Sequence, residues 1–168
     1  MAEIATDERT IFTKLTLGFK VQKVGILTAD DDLFTVFGLN SINLMYGRVT
    51  TVMDGGASTV ALNEKADSIA LVAVTTITND ALNTIYLLGG QPDIGFNGGK
   101  DPAVAVATMT AEHDSLTDRS ASHTPIIING AAAGVTIEST ETGADTGVIT
   151  WVIFYHPLEI GAYIAAAA

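Results

Sequence analysis

Short runs of apolar and β-branched residues, separated by turn-forming residues about every ten positions, constrain this chain more than any other feature. Period-two alternation of apolar and polar residues is typical of strands half-buried in a sheet. The runs are Ile11–Phe19, Leu33–Phe37, Leu44–Met53, Ser58–Leu62, Ile69–Thr78, Thr84–Leu88, Pro125–Ile128, Gly134–Ser139 and Val148–Tyr155. Their spacing predicts an all-β fold, an antiparallel β-sandwich of jelly-roll-like character, with at most one short helix.

Two pairs of these runs are predicted to form hairpins. Asp54-Gly55-Gly56 joins one pair, and Asp-Gly is a strong hairpin-turn signal. Gly134–Ser139 is expected to face Val148–Tyr155 across a loop rich in Thr, Gly and Asp. Residues 102–112 stay open, because the cap and proline of Asp101-Pro102 favour a helix while the alternating residues that follow fit a strand equally well.

Composition excludes several classes of protein. The chain has 168 residues, enough for one domain with a proper core, and its zero cysteines exclude disulfide scaffolds and thiol catalysis. Eight basic residues against 19 acidic ones argue against nucleic-acid or anionic-membrane partners, which need a basic patch. No apolar run reaches the length of a membrane span, and the amino end lacks the pattern of a signal peptide.

Several fragments imitate active-site motifs and fail on spacing. Gly95–Asp101 lacks the first glycine and the final hydroxyl of a phosphate loop. Asp145-Thr146-Gly147 matches an aspartic-protease tripeptide, but a turn explains it better. Asp30-Asp31-Asp32 lacks the later ligands of an EF-hand, which leaves a solvated turn or a different calcium site. The histidines have no metal-binding spacing, so we expect no catalytic residues, no cofactor and no metal.

Charge is distributed unevenly along the chain. Residues 1–23 carry a net charge of +1, while residues 24–168 carry −12. We therefore divide the chain into residues 1–23, an amino-terminal arm or a first strand, and residues 24–168, a single β-sandwich domain. If the first segment is an arm, it is a candidate for docking on a partner, because charge asymmetry often marks interaction segments. Its candidate contact residues are Arg9, Phe12, Lys14, Lys20 and Lys23.

The last strand is apolar on both faces. Ile149, Trp151, Ile153 and Tyr155 form one set, and Val148, Val152 and Phe154 form the other. A strand in a two-layer sandwich needs only one apolar face, so the second face either lies under a loop or packs on a neighbouring subunit. Trp151, Ile153 and Tyr155 are the predicted anchors of a subunit interface, since large aromatic residues dominate interface energetics.

Ordered patches of the chain resemble a family of tailed-bacteriophage virion proteins. The patches are Leu33–Gly38, Tyr46–Val52, Thr78–Tyr86 and Gly147–Ala162, whereas residues 1–30 and 91–124 depart from the family pattern. The resemblance implies a non-enzymatic capsid decoration (cement) protein that binds the major capsid protein on the outer capsid surface. It also implies a homotrimer, made in the cytoplasm of the bacterial host.

Two other functions fit the same β-rich, enzyme-free character. One is a different virion part, such as a tail or fibre adaptor, which would be present in far fewer copies per particle. The other is a carbohydrate-binding β-sandwich, for which exposed aromatic residues near strand ends are the requirement.

Overall fold

The computed structural model describes residues 14–54, 56–66, 69–88, 104–106, 125–143 and 145–168. The regular secondary structure in these ranges is strand, apart from one helical turn at residues 14–16. The strands are β1 (Phe19–Ile26), β2 (Asp31–Phe37), β3 (Leu39–Thr51), β4 (Thr59–Glu64), β5 (Ile69–Thr76), β6 (Ile85–Leu88), β7 (Val104–Val106), β8 (Ile126–Asn129), β9 (Val135–Thr142), β10 (Val148–Pro157) and β11 (Tyr163–Ala166).

The strands form two antiparallel sheets that pack against each other, which confirms the predicted all-β sandwich. Sheet A has the order β1-β10-β3-β6-β7, and sheet B has the order β11-β2-β9-β4-β5. Strand β3 is long enough to pair with two strands along one side, β8 near its start and β6 further along. Strands β10 and β3 therefore form the centre of sheet A.

The core lies between the sheets and draws on the inner faces of both. From sheet B it takes Phe34, Val36, Leu62 and Ile137, and from β10 it takes the set that contains Trp151. Burying one such apolar side chain completely contributes about 1.5–3 kcal/mol.

Two glycines on neighbouring strands make room for the Trp151 ring. A Cβ atom on Gly47, its direct partner on β3, would lie 2.6 Å from the ring, and one on Gly25 of β1 would lie 3.0 Å from it. The indole therefore needs backbone without side chains on both flanking strands.

Neither predicted hairpin exists, because the strands of each pair belong to different sheets. Strand β3 lies in sheet A and β4 in sheet B, while β9 lies in sheet B and β10 in sheet A. Hydrogen bonds to the carboxylates of Asp54 and Asp145 link the two loops in which the chain passes from one sheet to the other. The Asp54 backbone N–H donates to Asp145 Oδ1 over 3.1 Å, and the Thr146 backbone N–H donates to Asp54 Oδ2 over 3.2 Å. These turn residues thus stabilise loops that join the two sheets, and they do not form hairpins.

The amino-terminal region differs from the predicted strand Ile11–Phe19. Residues 14–16 form a helical turn, in which the Gly18 backbone N–H donates to the Lys14 carbonyl over 3.1 Å. Gly18 ends the turn in the left-handed region with φ at +91°, where a glycine is favoured. Strand β1 then pairs with β10 along its whole length, so the predicted boundary at residues 23/24 lies inside a strand.

One segment, residues 102–112, fits either a helix or a strand by its sequence. Val104–Val106, within the ambiguous segment 102–112, is a strand. The rest of that segment lies outside the described residues, as do Arg9 and Phe12. Among the residues that the structure describes, no helix has the length and apolar character to cross a membrane.

Candidate functional site: the outer face of sheet A

The predicted interface anchors lie inside the sandwich. Trp151 is 3% exposed, Ile153 is 0% exposed and Tyr155 is 7% exposed, and all three belong to the core between the sheets. Their placement on an outer face is therefore corrected. The strand is apolar on both sides, and the two glycines beside the indole decide which side faces inward.

The predicted docking cations lie in different surroundings. Lys23 points toward the inner side of the edge strand β1, where its Nζ donates to the Ala167 carbonyl over 2.9 Å. Lys20 points to the other side of β1 and is exposed, and Lys14 is exposed in the helical turn. Lys23 thus bonds to the backbone that follows β11, and Lys20 is the cation of β1 that faces outward.

The outward side of β1, β10 and β3, together with Ile85 of β6, is called the A face below. Residues directly opposite each other in paired strands share a face. Phe154 lies opposite Lys20 on β1 and Leu44 on β3, and Val152 lies opposite Gln22 and Tyr46. The A face comprises Lys20, Gln22, Val24, Ile26, Leu44, Tyr46, Arg48, Ile85, Val148, Thr150, Val152 and Phe154.

The A face has an apolar centre and a cationic margin. Val152 is 4% exposed although it lies outside the core cluster, and Phe154 and Tyr46 beside it are half-buried. Val24 and Ile26 are 56% and 51% exposed along the β1 margin. This sheet therefore carries apolar side chains on both sides.

Charge separates the two sheets completely. The strands of sheet A contain Lys20, Lys23 and Arg48 and no aspartate or glutamate. The strands of sheet B contain no lysine or arginine, and their acidic residues are Asp31, Asp32, Glu64, Glu138 and Glu141. The A face is thus a carboxylate-free surface on an acidic protein.

The carboxylates of the described residues are engaged within the chain. Nine of them accept hydrogen bonds or ion pairs: Asp30, Asp31, Asp32, Asp54, Glu64, Asp80, Glu138, Asp145 and Glu159. Asp54 illustrates the effect, since backbone N–H groups of Gly56 and then Thr146 hold the pKa of this carboxyl below its usual value. These acids stabilise turns and strand ends instead of lining an open acidic site.

Glu141 is the exception among these acids. It lies opposite the core residue Val60, and both of its carboxylate oxygens are buried with no hydrogen-bond partner. Burial, and then the charges of Asp30 and Asp31, raise the pKa of Glu141 from 4.5 to about 8. The group is therefore held protonated at neutral pH at one end of the sandwich.

The Asp30-Asp31-Asp32 run does not converge on a common point. Asp30 accepts from the Glu141 backbone N–H, Asp31 accepts from the Ile26 backbone N–H, and Asp32 pairs with Lys65 at 2.7 Å. Within the described ranges, no three His, Cys, Asp or Glu side chains form a group that could hold a metal ion.

The protein is a β-sandwich in which one outer face is polar and solvated. The other outer face is apolar at its centre and has cations at its margin. Comparison with protein-family models, with curated proteins and with solved structures finds no match to this chain.

Sequence reasoning missed the residues that make the A face distinctive. Phe154 and Val152 were recognised as a second apolar set but were not chosen as anchors, and Tyr46, Leu44 and Arg48 were not proposed as interface residues. The usable signal was the second apolar set of Val148–Tyr155, which marks a strand with apolar side chains on both sides.

Proposed function

We propose that this protein is a capsid decoration (cement) protein of a tailed bacteriophage. In this proposal it is a homotrimer that binds the major capsid protein on the outer surface of the head and stabilises the shell. Its place is the virion, after synthesis in the cytoplasm of the bacterial host. It has no catalytic role, and it needs no cofactor, nucleic acid or membrane.

The observation that carries this proposal is the apolar A face. A sheet in a two-layer sandwich buries one face in the core and leaves the other to water, which favours polar side chains there. Phe154, Val152 and Tyr46 break that rule at the centre of sheet A. Val24 and Ile26 beside them are more than half exposed, and exposed apolar side chains next to a polar margin mark an interaction site on a protein.

The sequence resemblance and the overall charge support the same function. The patches that resemble virion proteins include most of β2, part of β3 and all of β10, which are interior strands of the two sheets. A net charge of −11 keeps such a protein away from DNA released during packaging. A trimer binding the shell through several weak contacts gains affinity from multivalency.

Particles from which the protein has been deleted provide the test. The gene is removed from the phage that encodes the chain, and the purified particles are mixed with recombinant wild-type protein. We expect saturable binding in many copies per head, greater resistance of the particles to heat, and a trimeric mass for the free protein by light scattering. Wild-type protein that does not bind these particles, or that is found only at the tail in a few copies, would contradict the proposal.

A further inference from the structure

We propose that the A face is the surface that docks on the shell, and that it recognises an apolar protein surface bordered by carboxylates. The inference rests on the proposed function and adds to it the surface used and the chemistry of the partner. It also assigns the A face to a different protein and not to a second copy of this chain.

The face of sheet A is a better docking surface than its edge. Among the strands that the structure describes, β1 pairs only with β10, so its other side is an edge that could accept a further strand. Its inward-pointing Lys23, bonded to the Ala167 carbonyl, is a charge of the kind that natural proteins place on edges to prevent strand addition. Docking through side chains on the flat of the sheet avoids that obstacle.

The two cations of the A face border its apolar centre from opposite corners. Lys20 lies opposite Phe154, and Arg48 lies opposite Thr150, four residues further back along β10. This separates their backbones by about 10 Å across the sheet and about 13 Å along it. Both side chains are exposed, and neither has an ion pair within the described residues. Carboxylates on a partner would satisfy both at the margin of an apolar contact.

A second copy of the chain is a poor partner for this surface. Two A faces related by a two-fold axis would bring cationic margins together, and like charges across an interface are unfavourable. The outward side of sheet B offers mainly threonines, and its Asp32 and Glu138 already pair with Lys65 of the same chain. The acids at the loop end of the sandwich are also bonded within the chain. Because these described acids are already bonded within the chain, we assign the complementary carboxylates to another protein.

Charge-reversal variants test the assignment against matched controls. Lys20→Glu and Arg48→Glu change the A face, and Lys14→Glu makes the same change in an exposed residue of the helical turn. Val24→Glu places a charge on the A face, and Val74→Glu places it on β5, the edge strand of sheet B, where Val74 is 68% exposed. Each variant is checked for folding by circular dichroism and for mass by light scattering, and is then titrated onto deletion particles.

We expect Lys20→Glu, Arg48→Glu and Val24→Glu each to weaken binding to the particles by about tenfold or more. The controls Lys14→Glu and Val74→Glu should bind as the wild type does, and every variant should keep the wild-type mass. Binding by the wild type should also weaken as the salt concentration rises from about 50 mM to about 500 mM. Lys20→Glu and Arg48→Glu should each make binding less dependent on salt.

Three results would overturn the inference in distinguishable ways. If the wild type does not bind the particles, the proposed function fails, and the docking surface fails with it. If the wild type binds and the A-face variants bind equally well, the docking surface alone is wrong. If the A-face variants lose the oligomeric mass, the A face is an interface between copies of this chain.

Discussion

The outward faces of the two sheets carry different side chains at their centres. On sheet B, threonines lie directly opposite each other, as in the pairs Thr35–Thr136 and Thr59–Thr142, and the Asn63 amide donates to Thr140 Oγ1 over 2.9 Å. On sheet A, the corresponding central positions hold Phe154, Val152 and other apolar residues, with cations at the margin. We call the outward side of sheet B the B face.

This contrast shows that the fold alone does not require the apolar A face. The B face satisfies its polar side chains with cross-strand hydrogen bonds and with the ion pairs of Lys65, as a solvated sheet surface should. Both sheets pack against the same core, so the core cannot explain why only sheet A is apolar at the centre of its far side. A partner for the A face can.

Replacing Trp151 and Phe154 in turn compares how much the inner and outer sides of sheet A contribute to the free energy of unfolding. Trp151→Ala should lower the free energy of unfolding by about 3–5 kcal/mol, because it opens a large cavity between the sheets. Phe154→Ala, three residues along the same strand and on the A face, should cost much less. Urea unfolding of both variants checks this. An equal loss at Phe154 would mean that the A face belongs to the chain's own core.

Adding a single methyl group beside the indole should also destabilise the fold. Gly47→Ala would place a Cβ atom 2.6 Å from the Trp151 ring and 2.8 Å from Ile149. Such overpacking costs about 1–3 kcal/mol, which thermal unfolding can detect. A variant as stable as the wild type would contradict the inward placement of Trp151.

The buried acid of sheet B makes stability depend on pH. Because the pKa of Glu141 is raised to about 8 in the fold, its contribution is full below the unfolded value of 4.5 and is lost as pH rises from there to about 8. Glu141→Gln should remove this loss and be more stable than the wild type at pH 8, by about 1–2 kcal/mol after solvent screening. Urea midpoints of both proteins between pH 5 and about 8 test this. A constant difference across that range would refute it.

One substitution made on both faces compares their polar interactions. Thr140→Val removes the hydroxyl that accepts from Asn63 on the B face and should cost about 0.5–1 kcal/mol. Thr150→Val on the A face loses only a long contact of 3.4 Å with Thr50 Oγ1 and should be nearly neutral. Parallel denaturation curves give the difference. The reverse order would show that the A face has its own hydrogen-bond network.

The sequence was sufficient for the class of fold and for many strand positions. The predicted runs Leu33–Phe37 and Val148–Tyr155 fall within β2 and β10, since alternation and flanking turn residues are local signals. The hairpins were wrong because the local chemistry of Asp54 and Asp145 suits a crossing between sheets as well as a tight turn. That choice depends on which distant strands pair, and a short motif does not encode it.

The candidate site could be anticipated only in part. The two-sided apolar character of Val148–Tyr155 is visible in the sequence, but the strand gives no periodic signal for which side faces inward. Gly25 and Gly47 settle that question only once they lie beside Trp151 in neighbouring strands. The cationic margin likewise depends on register, because Lys20 and Arg48 meet the same face only through their pairing with β10.

Hydroxyl-radical footprinting of the free and particle-bound protein examines both faces at once, because each carries aromatic reporters. Tyr46 and Phe154 report on the A face, and Tyr163 and Phe37, whose rings stack at 4.6 Å, report on the B face. On binding to deletion particles, we expect labelling of Tyr46 and Phe154 to fall while labelling of Tyr163 and Phe37 stays unchanged. Protection of Tyr163 and Phe37 instead, or unchanged labelling of the A face in the bound protein, would contradict docking through sheet A.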